Sequence, residues 1–409
     1  MAIEIRPIRD DELGAFSRCQ SIVFGRDYKP EMVDSMRRQI FEFDRSLGAF
    51  DGDEIVGTAG AFTYGDMGTP GGHAPVGGLT MVSVLSTHRR QGILSSMIGR
   101  HLDDCRSRGE VMSALWASES IIYGRYGYGM AAQICDFKID KSHAKLVDGP
   151  PALGRMRMVM ADEVREQWPA FWDQVRAVTP GMMPRSAAWW RTRVFDDPVS
   201  WRNGMTENRY VNYEVDGEPR GYIRYRIKDQ WSARSLPEST VHVAELMALD
   251  SDAYRALWQY AFSLDLTASI EASFRTVEEP IAWMLEDPRR LQQTTHDSLW
   301  LRLLDVPRSL EARRYQASDA LVIEVTDPFL PETGGRFLLE GSREGASCTR
   351  TDRAADLSMG VPEISAAYLG GVRFATLARA GRVTGPAQAL ARADAMFGWD
   401  RAPWCPEMF

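Results

Sequence analysis

The sequence predicts a protein of mixed α+β and α/β class that is built from three successive segments. The chain has 409 residues, which is more than one ordinary core contains. Stretches rich in β-branched residues alternate with helical stretches along its whole length. A Pro/Gly-rich stretch at 148–154, DGPPALG, marks a boundary, and a similar order of strands and helices resumes after it. We therefore expect domains at 1–145, 146–290 and 291–409.

The first segment is expected to begin with a strand and two helices that precede its central strands. Pro30 is a start signal for the second helix, and Asp51-Gly52-Asp53 predicts a hairpin turn. We expect helices at 10–23, 31–43 and 92–108, and strands at 3–8, 47–51, 54–64, 76–85, 111–116 and 132–139.

The second segment repeats this order, which indicates a diverged duplication of one domain. Its strands are expected at 157–160, 210–215, 221–227, 241–249 and 268–274, and its helices at 161–178, 186–195, 251–263 and 279–285. The third segment is expected to be a separate α+β domain. Its strands are expected at 298–304, 321–325 and 336–340, and its helices at 307–313, 362–369 and 385–397.

The composition argues against several classes of protein. A formal net charge of −8 disfavours a general nucleic-acid binder, which usually presents a basic face. The five cysteines are scattered, so we expect neither a disulfide framework nor a metal site. The N-terminal stretch lacks an apolar signal core, and no apolar run reaches the roughly 20 residues of a membrane span. We expect a cytoplasmic protein without membrane association.

The segment Leu79–Met97, LTMVSVLSTHRRQGILSSM, is the most informative part of the chain. A β-branched strand runs into Arg89-Arg90-Gln91-Gly92 and then into a helix. Backbone N–H groups and the positive dipole end at a helix N-terminus form an anion site, and Gly92 would let the backbone approach a pyrophosphate closely. The pattern alone is equally compatible with an ordinary strand–helix connection whose arginines are solvated.

This segment resembles the acyl-CoA signature of the GNAT acetyltransferase superfamily, Gln/Arg-x-x-Gly-x-Gly/Ala, with Leu94 in place of the last small residue. A second block, SESIIYGRYGY at 118–128, follows the next strand. Together the two blocks resemble the enhanced intracellular survival (Eis) family of aminoglycoside and lysine acetyltransferases, whose members also carry leucine there. The resemblance covers essentially the whole chain. It implies two tandem GNAT-like domains, the second degenerate and non-catalytic, followed by a sterol-carrier-protein-like domain.

The resemblance also implies acetyl-CoA as co-substrate, without a metal. The pantetheine arm of acetyl-CoA would hydrogen-bond to the backbone of a strand edge, as an additional strand would. The resemblance also implies which residues bind the cofactor. They are Val82, Ser83 and Val84 for this arm, Arg89, Arg90, Gln91, Gly92, Ile93, Leu94 and Ser95 for the pyrophosphate, and Ser118 and Glu119 near the reactive end. Ser118 could equally cap the following helical turn.

Tyr123 matches the proton donor of the family, which protonates the departing CoA thiolate. A phenol has a pKa of about 10 and a thiol one of about 8.5, so this transfer is modestly uphill unless the site adjusts either value. Tyr126 and Tyr128 compete for the role, although packing is the more ordinary expectation for both.

The general base implied by the resemblance is the α-carboxylate of Phe409, supplied by the third domain. Its ordinary pKa of about 3.5 lies far below that of an alkylammonium, about 10.4, so a desolvated site, a water relay or an acidified amine is required. The alternative is a frayed terminus. The apolar tail, which includes Trp404, Met408 and Phe409, favours docking.

Substrate contacts carry over less completely from the family. Phe24 and Asp27 are candidates for apolar packing and for pairing with an ammonium group. Glu407 is the candidate for the acidic residue near the C-terminus, one place earlier than in the family. The corresponding loop of the second segment, Leu249–Tyr254, has two aspartates and no glycine, which disfavours a pyrophosphate. Asp250 or Ser251 is expected to be a helix N-cap there.

Three functions follow from these observations. The leading one is acetylation of aminoglycoside-like cationic amines, with a role in antibiotic resistance and, by resemblance, a homohexameric assembly. The second is Nε-acetylation of lysine in a protein or peptide. The third, from a different class, is a lipid-binding or assembly module built on the last domain.

Overall fold

The computed structural model describes residues 3–33 and 37–409. Residues 34–36 of the helix expected at 31–43 lie outside this part, and two short helical turns flank them. The elements of the first stretch are β1 (Glu4–Pro7), α1 (Leu13–Val23), α2 (Pro30–Met32), α3 (Arg38–Ile40), β2 (Leu47–Asp51), β3 (Glu54–Thr69), β4 (Gly72–Val84), α4 (Ile93–Ser107), β5 (Met112–Trp116), α5 (Ser120–Tyr123) and β6 (Gly129–Met130).

The middle stretch continues with an equally regular alternation of strands and helices. Its elements are β7 (Gln133–Asp140), β8 (Arg155–Val159), α6 (Ala161–Arg176), α7 (Ala187–Trp189), which a π-helical turn at Trp190–Phe195 continues, β9 (Arg209–Val215), β10 (Glu218–Lys228), β11 (Ser239–Ala248), α8 (Ser251–Ser263), β12 (Thr267–Arg275), α9 (Ile281–Met284) and β13 (Gln292–Asp297).

The last stretch is made of shorter elements. They are β14 (Leu299–Leu303), α10 (Val306–Glu311), β15 (Asp319–Thr326), β16 (Gly335–Gly341), β17 (Ala346–Arg350), β18 (Leu357–Gly360), α11 (Val361–Ala367), α12 (Phe374–Arg379), β19 (Val383–Thr384) and α13 (Ala387–Phe397).

The chain folds into two compact units. One contains the chain up to Ala132 together with Thr179–Pro184 and Asp297–Phe409, and the other contains Gln133–Val178 and Arg185–His296. The first unit holds a seven-stranded sheet of order β1-β2-β3-β4-β5-β14-β6 and a five-stranded sheet of order β17-β16-β15-β18-β19. The second unit holds a seven-stranded sheet of order β13-β7-β12-β11-β10-β9-β8.

Two strands lie in a different sheet from the one that their place in the sequence suggested. The strand expected to end the first segment, β7, pairs antiparallel with β12 in the second unit, with Ile139 opposite Ile270. The strand expected to begin the third domain, β14, lies in the first sheet, between β5 and β6. Leu299, Leu301 and Leu303 of β14 are fully buried, so an interior sheet position satisfies both their burial and their backbone hydrogen bonds.

Helix α4 covers one face of the first sheet. Its buried apolar residues recur at helical spacing, as expected for a helix with one face on a core, and they are Ile93, Met97, Ile98, Leu102 and Cys105. Each large aliphatic side chain buried in this way stabilises the fold by about 1.5–3 kcal/mol. The packing fixes the direction in which the N-terminus of α4 points.

A buried ion pair lies beneath β4. Arg45 donates two hydrogen bonds to Glu110, at 2.8 and 2.7 Å, and both side chains are almost fully excluded from solvent. Arg45 also donates to Thr63 and pairs with Asp104. Burial lowers the pKa of Arg45, whereas the neighbouring carboxylates raise it. The net effect is a raised pKa, so the guanidinium stays charged.

We expect Glu110→Ala to destabilise the protein by about 3 kcal/mol or more, because it leaves the Arg45 charge buried without its bidentate partner. Urea unfolding of the variant and the parent checks this value. Glu324→Ala, which removes a partly exposed partner of Arg336 and Ser358, is the control and should change the unfolding midpoint much less. Equal shifts for the two variants would contradict the expectation.

Candidate active site

A cavity of about 560 Å³ lies in the first unit, where the end of β4, the start of α4 and the segment 118–126 meet. The elements that surround the cavity pack against the buried face of α4 in one hydrophobic cluster. The cavity is lined by Val23, Phe24, Val82, Ser83, Val84, His88, Arg89, Arg90, Gly92, Ile93, Leu94, Ser95, Ser118, Glu119, Ile122, Tyr123, Arg125 and Tyr126. All of the predicted cofactor-binding residues except Gln91 are among them.

Strands β4 and β5 separate at this cavity. They are paired in parallel from Val76 opposite Met112 to Leu79 opposite Leu115, and no pair with β5 follows in the described part of the chain. On its other side β4 stays paired with β3, with Ser83 opposite Thr58. The backbone of 82–84 therefore presents one edge to the cavity, where an amide-bearing ligand can add as a strand does.

A bulge fixes the shape of this edge. The β3–β4 register shifts between Thr58 and Gly60, and Met81 has a left-handed φ of 50°. The Thr58 hydroxyl donates to the Met81 carbonyl at 2.6 Å, and it lies 2.7 Å from the Ser83 hydroxyl, which therefore acts as the donor in that contact. These bonds hold the strand rigidly where it lines the cavity.

The turn before α4 has the geometry of an anion site. Arg90 and Gly92 adopt left-handed φ values of 64° and 78°, and Gly92 is the N-cap of α4 without a side-chain cap. The N–H groups of the first turn of α4 are thus available for a ligand. A Cβ on Gly92 would meet nothing within 4 Å, so this residue faces open space. Arg89 and Arg90 are exposed and line the same cavity.

Tyr123 also lines the cavity and is only 4% exposed. Burial raises the pKa of its phenol, the negative charge of Glu119 adds to this, and a hydrogen bond with the Ser118 side chain opposes it. The phenol is therefore protonated throughout the physiological pH range. The N-cap of α5 is Glu119, without a side-chain cap, so Ser118 does not cap this turn.

The two other tyrosines of this segment have different surroundings. The Tyr126 hydroxyl lies 3.0 Å from the Ser95 hydroxyl, and its ring packs against Phe329 while it also lines the cavity. Tyr128 is fully buried and hydrogen-bonds Ser113 at 2.8 Å, outside the cavity. Tyr128 thus has a packing role, as expected, although it lies in the interior and not at the domain edge.

The C-terminal tail is docked on the first unit, as its apolar character predicts. Trp404 is buried, and its backbone N–H donates to the Pro180 carbonyl at 2.8 Å. The Phe409 ring packs edge-on against Tyr64 with centroids 5.1 Å apart, and it lies next to Gly78. Gly78 directly precedes Leu79, the last β4 residue that pairs with β5. Phe409 does not line the cavity itself.

The predicted substrate-binding residues do not all converge. Phe24 lines the cavity, whereas Asp27 is exposed and lies outside its lining, as does Glu407. Four lining residues were not predicted from the sequence: Val23, His88, Ile122 and Arg125. The signal for His88 and Arg125 was their place inside the two motif blocks. His88 is half-buried and its Nε2 lies 3.4 Å from Asp51.

Comparisons with known proteins agree with this geometry. Residues 4–131 and 181–303 each match an acetyltransferase (GNAT) domain family, and residues 306–406 match a sterol carrier protein domain family. The N-acetyltransferase Eis of Mycobacterium bovis is 34% identical over 366 residues, which cover 86% of this chain and 85% of that protein. The chain belongs to the Eis family of GNAT N-acetyltransferases.

Other relatives and solved structures cover the chain more completely. An uncharacterised N-acetyltransferase of Streptomyces avermitilis is 39% identical over 412 residues, the full length of both chains. The crystal structure of Eis1 from Mycobacterium abscessus superimposes with a TM-score of 0.85 at 32% identity, covering 99% of this chain and 100% of that one. A GNAT protein from Anabaena variabilis, with a TM-score of 0.85 at 16% identity, shares the fold.

Membership of the Eis family confirms several predictions. The protein is an acetyltransferase, its GNAT fold serves acetyl transfer to amines, and GNAT acetyltransferases use acetyl-CoA. The predicted fold class, two GNAT domains followed by a sterol-carrier domain, is confirmed.

Within residues 3–33 and 37–409, no helix has the length and apolarity to cross a membrane. The same residues contain no cluster of three or more His, Cys, Asp or Glu side chains with metal-binding geometry.

We expect Gly92→Ala to weaken CoA binding about tenfold, which corresponds to roughly 1.4 kcal/mol, because a left-handed alanine strains the turn and its methyl enters the cavity. Isothermal titration calorimetry with CoA measures the affinity. Gly109→Ala is a matched control, since Gly109 has the same φ of 78°, an open Cβ position, and a place just beyond the other end of α4. Equal losses of affinity in both variants would remove the turn from the binding site.

Proposed function

We propose that this protein acetylates the amines of aminoglycoside-like polycationic small molecules by direct transfer from acetyl-CoA. The observation that carries the proposal is the single cavity that joins the separated edge of β4, the anion turn before α4 and a buried phenol. The acceptor class follows from the family resemblance. Glu119 on the lining and Asp27, three residues beyond Phe24, would supply the negative charge for an ammonium group. Homohexameric assembly and a role in antibiotic resistance belong to the same proposal.

The side chains and backbone present fit acetyl-CoA. The backbone of 82–84 would bind the pantetheine amides, and the turn from Arg89 to Ser95 would bind the pyrophosphate. Open space at Gly92 and two exposed arginines suit a dianionic group at a helix N-terminus. When bound, acetyl-CoA supplies the thioester carbonyl carbon that the acceptor amine attacks.

Tyr123 would serve as the general acid. Its raised pKa keeps the proton on the phenol oxygen until the CoA sulfur develops negative charge. The same burial that raises the pKa of Tyr123 disfavours a thiolate beside it, because desolvation raises the pKa of a thiol as well. The transfer would leave an equally desolvated phenolate, so burial penalises both anions and the step stays near the modestly uphill balance of the ordinary pKa values.

The α-carboxylate of Phe409 would serve as the general base. The docked tail supports this role, because it brings the last residue beside Gly78, four residues before Val82 on the same strand. At about 3.3 Å per residue this distance is roughly 13 Å, within reach of an acceptor molecule that extends from the cavity. A water relay between the carboxylate and the attacking amine would carry the proton over this distance.

The second GNAT domain is proposed to be non-catalytic. The loop that corresponds to the anion turn places Asp250 at the N-cap of α8, where its carboxylate accepts a hydrogen bond from the Ala253 N–H at 2.8 Å. This carboxylate occupies the helix N-terminus and carries the charge sign that repels a pyrophosphate. The predicted N-cap role of Asp250 is confirmed.

Nε-acetylation of lysine in a peptide is the second candidate function. Ile121 is 89% exposed although its neighbours Glu119, Ile122 and Tyr123 line the cavity. An exposed isoleucine at the rim suits a peptide side chain better than a polar sugar. Acceptor profiling with an aminoglycoside panel and with lysine peptides, followed by thiol release, separates the two candidates.

We expect Tyr123→Phe to lower kcat about 100-fold, the usual contribution of a general acid, with little change in CoA affinity. Steady-state thiol release with a fixed aminoglycoside acceptor measures kcat, and calorimetry measures CoA binding. Tyr225→Phe is the matched control, because it removes the hydroxyl of another buried tyrosine, one that hydrogen-bonds Tyr260 in the second unit. An unchanged kcat for Tyr123→Phe would contradict the acid assignment.

We expect two glycines added after Phe409 to lower kcat about tenfold or more, because the carboxylate moves by two residues while the apolar tail stays docked. The same two residues inserted after Met1 serve as the control. Thiol release at saturating acetyl-CoA is the measurement. If the extended protein kept the full rate, the terminal carboxylate would not be the base.

A further inference from the structure

A buried arginine contacts the segment that carries Tyr123. Arg302 of β14 is fully buried and its Nη1 donates to the backbone carbonyl of Tyr126 at 2.6 Å. Gly127, with a left-handed φ of 87°, lies against the same guanidinium, and a Cβ there would be 1.4 Å from its Nη1. The absence of a side chain at position 127 therefore gives Arg302 its access to the carbonyl.

The third domain holds Arg302 in place. The Arg302 Nη2 donates to the Asp327 carboxylate at 2.6 Å, and this carboxylate is also fully buried. The other oxygen of Asp327 accepts hydrogen bonds from the N–H groups of Phe329 and Leu330, at 3.0 Å each. Asp327 thus has a fixed orientation, and Phe329 packs against the Tyr126 ring.

A tight turn connects Tyr126, whose carbonyl accepts the Arg302 hydrogen bond, to Tyr123. The Gly127 N–H donates to the Gly124 carbonyl at 3.1 Å, and the Tyr128 N–H donates to the Tyr123 carbonyl at 3.3 Å. On the far side, the Tyr126 hydroxyl meets Ser95 in the first turn of α4. Arg302 therefore anchors a compact turn whose start carries the phenol and whose centre contacts the anion site.

We propose that Arg302, oriented by Asp327, is a positioning residue that holds the Tyr123 phenol in register with the reacting sulfur. This inference rests on the proposed role of Tyr123 as general acid. An arginine suits the task because its rigid fork directs separate N–H groups to two acceptors on different elements, whereas a lysine offers one flexible ammonium. Misplacement of a reacting group by about 1 Å can cost about 100-fold in rate.

The test is a double-mutant cycle on the full chain with Arg302→Lys and Tyr123→Phe. We expect Arg302→Lys to lower kcat about tenfold and to change the KM for acetyl-CoA by less than about twofold. In the Tyr123→Phe background, Arg302→Lys should lower kcat by less than about twofold, because the group that it positions no longer acts. Asp327→Asn, which keeps one of the two acceptor oxygens and replaces the other with an NH2 group, should also lower kcat in the parent and be similarly silent in Tyr123→Phe.

Arg275→Lys is the matched control for the loss of a buried guanidinium. Arg275 lies in the second unit and, like Arg302, donates to one carboxylate, Glu279, and to one backbone carbonyl, that of Leu246. The Arg275→Lys variant should have a lower melting temperature, while the kcat of the folded enzyme stays unchanged. If Arg302→Lys does not yield folded protein, the cycle is run with Asp327→Asn.

Four outcomes separate the two proposals. An unchanged kcat for folded Arg302→Lys overturns the positioning role, as do losses that multiply fully in the double variant. An unchanged kcat for Tyr123→Phe alone overturns the acid role in the proposed function, and the positioning role with it. A tenfold loss for Arg302→Lys that disappears in the Tyr123→Phe background supports both.

Discussion

The separation of β4 from β5 after Leu79 is the constraint on which the active site depends. A regular sheet would satisfy the backbone of 82–84 with the neighbouring strand and leave no edge for a ligand. Here one side of the strand is fixed by β3 and by the Thr58–Ser83 hydrogen bond, so the other side can remain available without loss of rigidity. The anion turn, the phenol of Tyr123 and the docked tail are all arranged around this opening.

The proposed chemistry of the site depends on unequal burial of its parts. The arginines of the anion turn are exposed, where phosphates can reach them, whereas Tyr123 is excluded from water, which keeps its proton in place. Deeper still, the Tyr128–Ser113–His101 hydrogen bonds and the Arg45–Glu110 pair fill the interior below β4. Burial lowers the pKa of His101 to about 3, so this histidine is neutral and structural.

The sequence predicted the local features of the protein better than its long-range pairings. The boundaries of β2 and α8 followed from periodicity and turn and capping signals. The positions of Arg89, Gly92 and Tyr123 on the cavity followed from the resemblance of the two motif blocks to the Eis family. Strand β14 could not be placed, because the alternation of Leu299, Leu301 and Leu303 reports burial but not the partner strand. Local spacing also could not show that Asp27 and Glu407 lie outside the cavity lining; their roles stay predictions, as does lipid binding by the third domain.

The origin of β14 also bears on how the enzyme is made. The first sheet gains this interior strand from a part of the chain that is translated after the whole second unit. On the ribosome, the nascent N-terminal domain must wait with one flank of β5 uncovered until residue 303 has emerged. A prematurely terminated chain that contains both motif blocks would still lack the strand that lies between β5 and β6.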